Sequence, residues 1–114
     1  MSSDEERNKI VGEYHKLNDI VENLRNRATE ISAQVSEHDH VLRELVDLPE
    51  DRTCMRQSGD ILQKGTVGTV RPFLQANRDK LKQIETQLIG DLKAREQTLA
   101  EFMLKHNIQI KHTG

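Results

Sequence analysis

A chain of 114 residues has room for one domain, and this one carries 32% charged against 34% hydrophobic residues, with two Phe, one Tyr and no Trp. So little aromatic volume argues against a compact globule and suits long helices that bury a narrow stripe. The net charge of −2, with acids and bases interspersed, excludes a basic face for nucleic acid or anionic lipid, and no apolar run is long enough to span a membrane.

The first seven residues are polar and lack the apolar stretch of a secretory signal. The single Cys54 has no partner for an internal disulfide, so the chain reads as cytoplasmic.

The first predicted element is a helix over about 4–48. Ile10, Tyr14, Leu17, Val21, Leu24, Ala28, Ile31, Val35, His38, Leu42 and Leu45 follow one another at alternating steps of four and three. That is an a/d seam held for about five heptads, which argues a coiled coil. Ser2 or Ser3 can cap its start, with Asp4 to Glu6 where the helix dipole favours acids. Pro49 stops it, and the restriction on the residue before proline makes Leu48 the expected last helical residue.

A connector over about 52–65 comes next. Arg52 to Arg56 and Ile61 to Lys64 flank the turn-rich Gln57-Ser58-Gly59-Asp60, which predicts a β-hairpin. A lone two-stranded hairpin is marginal in water, and no other strand is evident in this chain. Its sheet partners are therefore expected from other chains.

A second helix is expected over about 67–107. Leu74, Asn77, Leu81, Ile84 and Leu88 carry a heptad that Leu92, Arg95, Leu99 and Phe102 continue after a four-residue stutter beside Gly90. At about 1.5 Å per residue each helix would be roughly 60 Å long. Matched lengths around a short connector predict a mainly α fold, a long antiparallel two-helix coiled coil with a β-hairpin connector. Val41 and Val46 flank the first seam near the connector and are expected to pack against the body that the connector helps to form.

Helix, β-hairpin and helix in one short chain resembles the β-type subunits of prefoldin. Arg52, Cys54, Arg56, Gly59, Leu62, Thr66, Val67, Val70 and Pro72 match the connector pattern of the eukaryotic subunit-2 branch. The Glu37-His38 pair and the ending from Phe102 to Ile110, with Lys105-His-Asn-Ile108, look similar too. The chain departs from the pattern at Met55, where an aromatic is usual, at Asp60 in place of a second glycine, and at Gly68, where helix formers are common.

The resemblance implies a single domain over 1–114 whose hairpin joins an intersubunit β-barrel in a hetero-hexamer with other prefoldin subunits. It implies an ATP-independent co-chaperone that holds unfolded client proteins of the actin and tubulin class and delivers them to the cytosolic chaperonin. It implies neither an enzymatic activity nor a cofactor. The assembly hairpin would then rest on Arg52, Cys54, Arg56, Gly59, Ile61, Leu62 and Thr66. The client-binding tips would be Ile10, Val11, Tyr14, Phe102, Met103, Ile108 and Ile110, residues that otherwise simply close the end of a coiled coil.

The rival functional reading is a structural coiled-coil adaptor or scaffold subunit, which accounts for the heptads and leaves the connector unexplained. Other chemistries fare worse. Cys54 reads as a small buried strand residue, since one Cys with no His nearby makes no constellation. His38 and His40 point to different helix faces, whereas a zinc pair on one face wants i, i+4 spacing. The Gly59 to Thr66 run lacks the Gly–Lys–Ser/Thr order of a phosphate loop.

Overall fold

The computed structural model describes residues 3–109, in the order α1 (Ser3–Leu45), β1 (Thr53–Ser58), β2 (Ile61–Thr66) and α2 (Val67–Lys105). It divides into two compact units, Met1–Ala28 with Gln87–Gly114 and Thr29–Thr86.

α1 follows the predicted seam at every position. All eleven seam residues are buried or half-buried, with Val21, Ala28, Val35 and Leu45 the most enclosed. Its acidic first turn, Asp4 to Glu6, faces the positive end of the helix dipole. The helix stops at Leu45, three residues short of the expected Leu48. Pro49 is the cause, acting further back than the pre-proline rule suggests. The carbonyl of Leu45 would accept from the N–H of residue 49, which proline lacks. Instead Leu45 O accepts from Leu48 N–H at 3.2 Å and from Arg71 Nη2 at 2.6 Å, and the same Nη2 reaches Leu48 O at 3.2 Å. An arginine on α2 thus caps the C-terminus of α1. Val46 falls in the turn beyond and is 63% exposed, and Val41 is exposed as well, so this chain's own residues leave both uncovered.

The hairpin is tighter than predicted. Gln57 and Ser58 belong to β1, whose register runs from Thr53↔Thr66 to Ser58↔Ile61 and leaves Gly59-Asp60 as a two-residue loop. Gly59 sits at φ 62° and Asp60 does not share the positive φ, which is the pattern of a type II′ turn.

α2 begins on the hairpin itself. Val67 N–H donates to Arg52 O and Gly68 N–H to Glu50 O, both at 2.9 Å, which satisfies two of the four orphan donors of the helix start. Thr69 Oγ1 donates to Thr66 O at 2.9 Å and lies 3.2 Å from Thr66 N, a reciprocal cap. Gly68 fits closely here, because a Cβ would meet the Cβ and the carbonyl oxygen of Glu50 at 3.2 Å, tighter than ordinary contact. Pro72 lies inside α2 near its start, where it removes the hydrogen bond to Gly68 O. Val67, Val70 and Leu45 form the core of the Thr29–Thr86 unit, with Leu48, Cys54 and Leu74 packed against them.

The burial pattern along α2 corrects the sequence reading. Ile84 is 41% exposed and Glu85 only 7%. From Leu74 onward the enclosed or half-enclosed positions are Leu74, Arg78, Leu81, Glu85, Leu88, Leu92, Leu99, Phe102 and His106, with Met103 beside them. With exposed Arg95 filling its slot, these residues step by four and three throughout, so there is no stutter at Gly90. The heptad continues unbroken, with a carboxylate and a guanidinium standing in the seam.

The two enclosed or half-enclosed charged seam residues, Glu85 and Arg78, have partners. Glu85 accepts from Lys82 Nζ and from Ser32 Oγ on α1, each at 2.6 Å. These bonds, Lys82 first and then Ser32, hold its carboxyl below the ordinary glutamate range against the opposing effect of burial. Arg78 Nε donates to Asp39 at 2.8 Å, lowering the Asp39 carboxyl and raising the guanidinium. His38 Nδ1 lies 2.8 Å from Gln34 O, and its Nε2 lies 2.9 Å from Asn77 Nδ2. The carbonyl of Gln34 can only accept, so Nδ1 carries the proton and Nε2 accepts from the Asn77 amide.

Candidate functional site

Two regions collect the residues singled out in the sequence. In the Thr29–Thr86 unit, alternation along β1 sends Cys54 and Arg56 to one face and Met55 and Gln57 to the other. Cys54 packs on the Leu45–Val67–Val70 core, and the Arg56 guanidinium lies 4.4 Å over the ring of Phe73. That face is therefore turned toward this chain's own helices. The register places Leu62 opposite Gln57 on the outward face, together with Met55. Leu62 and Ile61 are each 64% exposed, and Met55 is exposed beside them.

Arg52 anchors the entry of the hairpin through its carbonyl, which accepts from Val67 N–H, Gly59 makes the turn, and half-buried Thr66 offers the backbone groups that Thr69 Oγ1 bonds at the start of α2. The two strands pair only with each other, so among the described residues each keeps one edge without a strand partner. Open edges beside an uncovered apolar face are a template for further strands.

In the unit of Met1–Ala28 and Gln87–Gly114, the enclosed residues are Val21, Ala28 and Leu88, and an exposed ion pair joins Arg25 to Glu96 at 3.1 Å. Toward the chain termini the packing opens. Ile10 and Phe102 come together in a shallow groove of about 500 Å3 that Lys9, Glu13 and Lys16 rim. Tyr14 and Met103 are half-buried, and Val11 is exposed. The Phe102 ring tilts against His106 at 4.5 Å. Ile110 lies outside the described residues.

How α2 ends explains the Lys105-His-Asn-Ile108 motif. Asn107 adopts φ 57°, Ile108 N–H donates to Met103 O at 2.8 Å, and Asn107 N–H to Leu104 O at 3.3 Å. That pair of bonds around a left-handed residue is a Schellman stop, with Asn in the place usually taken by Gly. It turns half-buried Ile108 back toward the turn of Met103. Leu104 then projects outward at 86% exposure, the most exposed of the large apolar residues described. The sequence reading missed it. The signal was present in three successive apolar residues, Phe102-Met103-Leu104, which at about 100° per residue cannot all face one seam.

Among the described residues no group of three or more His, Cys, Asp or Glu is placed to hold a metal ion, and no helix is long and apolar enough to cross a membrane.

Residues 8–113 match the family described as prefoldin subunit. Rat and human proteins named prefoldin subunit 2 are each 30% identical to this chain over 102 residues. The match takes in 90% of this chain and 66% of theirs, so the chain spans about two thirds of their length. An Arabidopsis thaliana protein of the same name is 32% identical over 103 residues, 90% of this chain and 67% of its own. In fold, the crystal structure of the prefoldin beta subunit from Thermococcus strain KS-1 superposes with a TM-score of 0.76 over 86% of each chain, at 16% identity. With two long helices, an antiparallel hairpin between them and a family match over nearly the whole chain, this protein belongs to the prefoldin subunit family.

Proposed function

We propose that this chain is a non-catalytic subunit of a hexameric, ATP-independent co-chaperone. It joins other prefoldin subunits through Arg52 to Thr66 and grips unfolded polypeptides through apolar residues near its termini. Delivery of actin- and tubulin-class clients to the cytosolic chaperonin, and a cytoplasmic location, belong to the same reading. The observation that carries it is the uncovered outward face of the hairpin, where Leu62 stands 64% exposed with exposed Met55 between open strand edges. Burying one such side chain fully contributes about 1.5–3 kcal/mol, which an isolated chain forgoes and an assembly recovers.

For client holding, Leu104, Val11 and the groove of Ile10 and Phe102 offer weak, non-directional apolar contacts. Such contacts suit unfolded chains of any sequence, and several subunits acting together raise avidity without selectivity.

The test is native mass spectrometry of the tagged chain captured gently from its source cytosol, paired with suppression of aggregation of a denatured protein. A stoichiometric complex of about six small distinct chains that suppresses aggregation without ATP is the expected result. A homo-oligomer, or a complex with large unrelated proteins, refutes it.

A further inference from the structure

A groove of about 360 Å3 lies where α1 ends and α2 begins, lined by Leu42, Arg43 and Val46 on one side and by Arg71, Gln75 and Arg78 on the other. No residue of either strand lines it, so it stays apart from the hairpin that the assembly reading uses. Three guanidinium groups meet here, and Asp39 is the one carboxylate in the lining.

Asp39 stands four residues before Arg43, the spacing at which an acid and a base on one helix pair. Arg78 takes it instead, with Nε donating at 2.8 Å, and also reaches Asp79 at 3.5 Å. Arg43 is left exposed, and neither it nor Arg71 forms an ion pair among the described residues. Arg71 gives Nη2 to two neutral carbonyls, Leu45 O and Leu48 O, while its enclosed Nε has no acceptor. Enclosed N–H groups normally have a partner, so this corner is short of acceptors. Beside these two uncompensated cations stands Val46, an apolar foothold 63% exposed. A second groove of the same unit, walled by Val41, Phe73 and Leu74, shows no such surplus. Its single guanidinium, Arg56, is stacked on the Phe73 ring.

We propose that the groove of Arg43 and Arg71 is a docking site for an acidic linear segment of a partner protein outside the hexamer, with carboxylates on the two arginines and an apolar side chain on Val46 and Leu42. Charge complementarity selects this occupant. Carboxylates supply the acceptors that Arg43 and Arg71 lack, and planar guanidinium groups match carboxylates in two-pronged pairs. An apolar residue next to the acids covers Val46, which this chain leaves bare. Acidic motifs are commonly read in this way, by clustered arginines. The volume falls within the range of ligand sites, about 300–1,000 Å3, and takes a few side chains rather than a domain. Because helices and the turn after α1 alone build it, the groove remains open while the hairpin is engaged. One subunit can then hold a neighbour and a recruited protein together. That availability rests on the assembly reading, whereas the affinity of the groove does not.

The probe is a fluorescein-labelled peptide with one leucine flanked by glutamates, titrated by fluorescence anisotropy. It is tested against the purified full chain and against the complex captured from its source cytosol. Both should bind it, and added salt should weaken the binding. Arg43→Glu and Val46→Ser, at exposed positions, should each weaken it at least tenfold, with helix content first matched to wild type by circular dichroism. Arg71 is left unchanged, because it holds the end of α1. A peptide with glutamine in place of glutamate should bind at least tenfold more weakly. Absence of binding to the wild-type chain, or binding unchanged in either variant, overturns the site. Equal binding of the glutamine peptide overturns its acidic chemistry. Binding by the free chain that the complex lacks makes the groove a contact between subunits and overturns the partner. A chain that binds the peptide but joins no complex refutes the assembly reading alone.

Discussion

Two glycines of α2 make a matched pair in which helix propensity and the structure disagree about one and agree about the other. Replacing a helical Gly by Ala contributes about 0.5–1 kcal/mol through backbone entropy wherever the site is open. Gly90 is open, with nothing within 4 Å of the place an alanine methyl would take, so Gly90→Ala should stabilise by that amount. At Gly68 the methyl would stand 3.2 Å from both Glu50 Cβ and Glu50 O. The oxygen is backbone, and it is the acceptor of the 2.9 Å bond from Gly68 N–H, so moving it loosens the cap it makes. Overpacking of this kind costs about 1–3 kcal/mol, which exceeds the entropic gain, and Gly68→Ala should destabilise by about 1 kcal/mol net. Urea unfolding followed by helix circular dichroism at fixed protein concentration reads both. With a slope of about 2 kcal/mol per molar, the midpoint should fall by about 0.5 M for Gly68→Ala and rise by about 0.3–0.5 M for Gly90→Ala. A raised midpoint for Gly68→Ala would mean that α2 does not start against Glu50, and the account of that corner would be wrong.

Other consequences can be checked on the same protein. Asn107→Val places a β-branched residue at φ 57° and should unlatch Ile108, costing about 1–2 kcal/mol locally, whereas Asn107→Gly should be neutral; amide exchange at residue 108 separates them. Arg71→Ala strips Leu45 O and Leu48 O of their charged donor and should cost about 1.5–3 kcal/mol, with Arg71→Lys recovering part, by thermal unfolding. Acid should destabilise the seam. The Glu85 carboxyl is held below its unfolded value of 4.5, so its contribution is complete above that value and is lost as pH falls through the lower folded one. Glu85→Gln should flatten this acid limb, and an unchanged limb would exclude Glu85 as its source.

The first helix was legible almost residue by residue because its seam is aliphatic and its period sustained. The second was not, and the reason lies on the other helix. Judged alone, Ile84 outranks Glu85 for a seam position, and only Ser32 of α1 together with Lys82 makes a buried carboxylate tolerable. Arg78 displaces Asn77 in the same way, through Asp39. The hairpin was visible from its turn residues, but the two-residue loop required knowing that Gly59 alone takes a positive φ. Gly68 read as a weak helix former because its close neighbour, Glu50, is brought there by the fold and not by the sequence around it. Leu104 was overlooked because attention to the period hides whatever falls off it.

The corner where α1 ends and α2 starts also bears on the order in which the chain folds. Arg71 reaches Leu45 across 26 residues, and Val67 reaches Arg52 across fewer still, whereas Arg25 and Glu96 are 71 residues apart. Closing the longer loop first would cost about 0.9 kcal/mol more in chain entropy than closing the shorter one. The corner also contains Val67, the most enclosed side chain described, so its closure is rewarded at once by burial. Folding should start there and zip along the seam, each heptad shortening the loop left for the next. Stopped-flow refolding would then find that trimming Val67 to Ala slows folding, while trimming Val21 to Ala chiefly speeds unfolding. On that path the hairpin is complete before the terminal apolar residues are held in place.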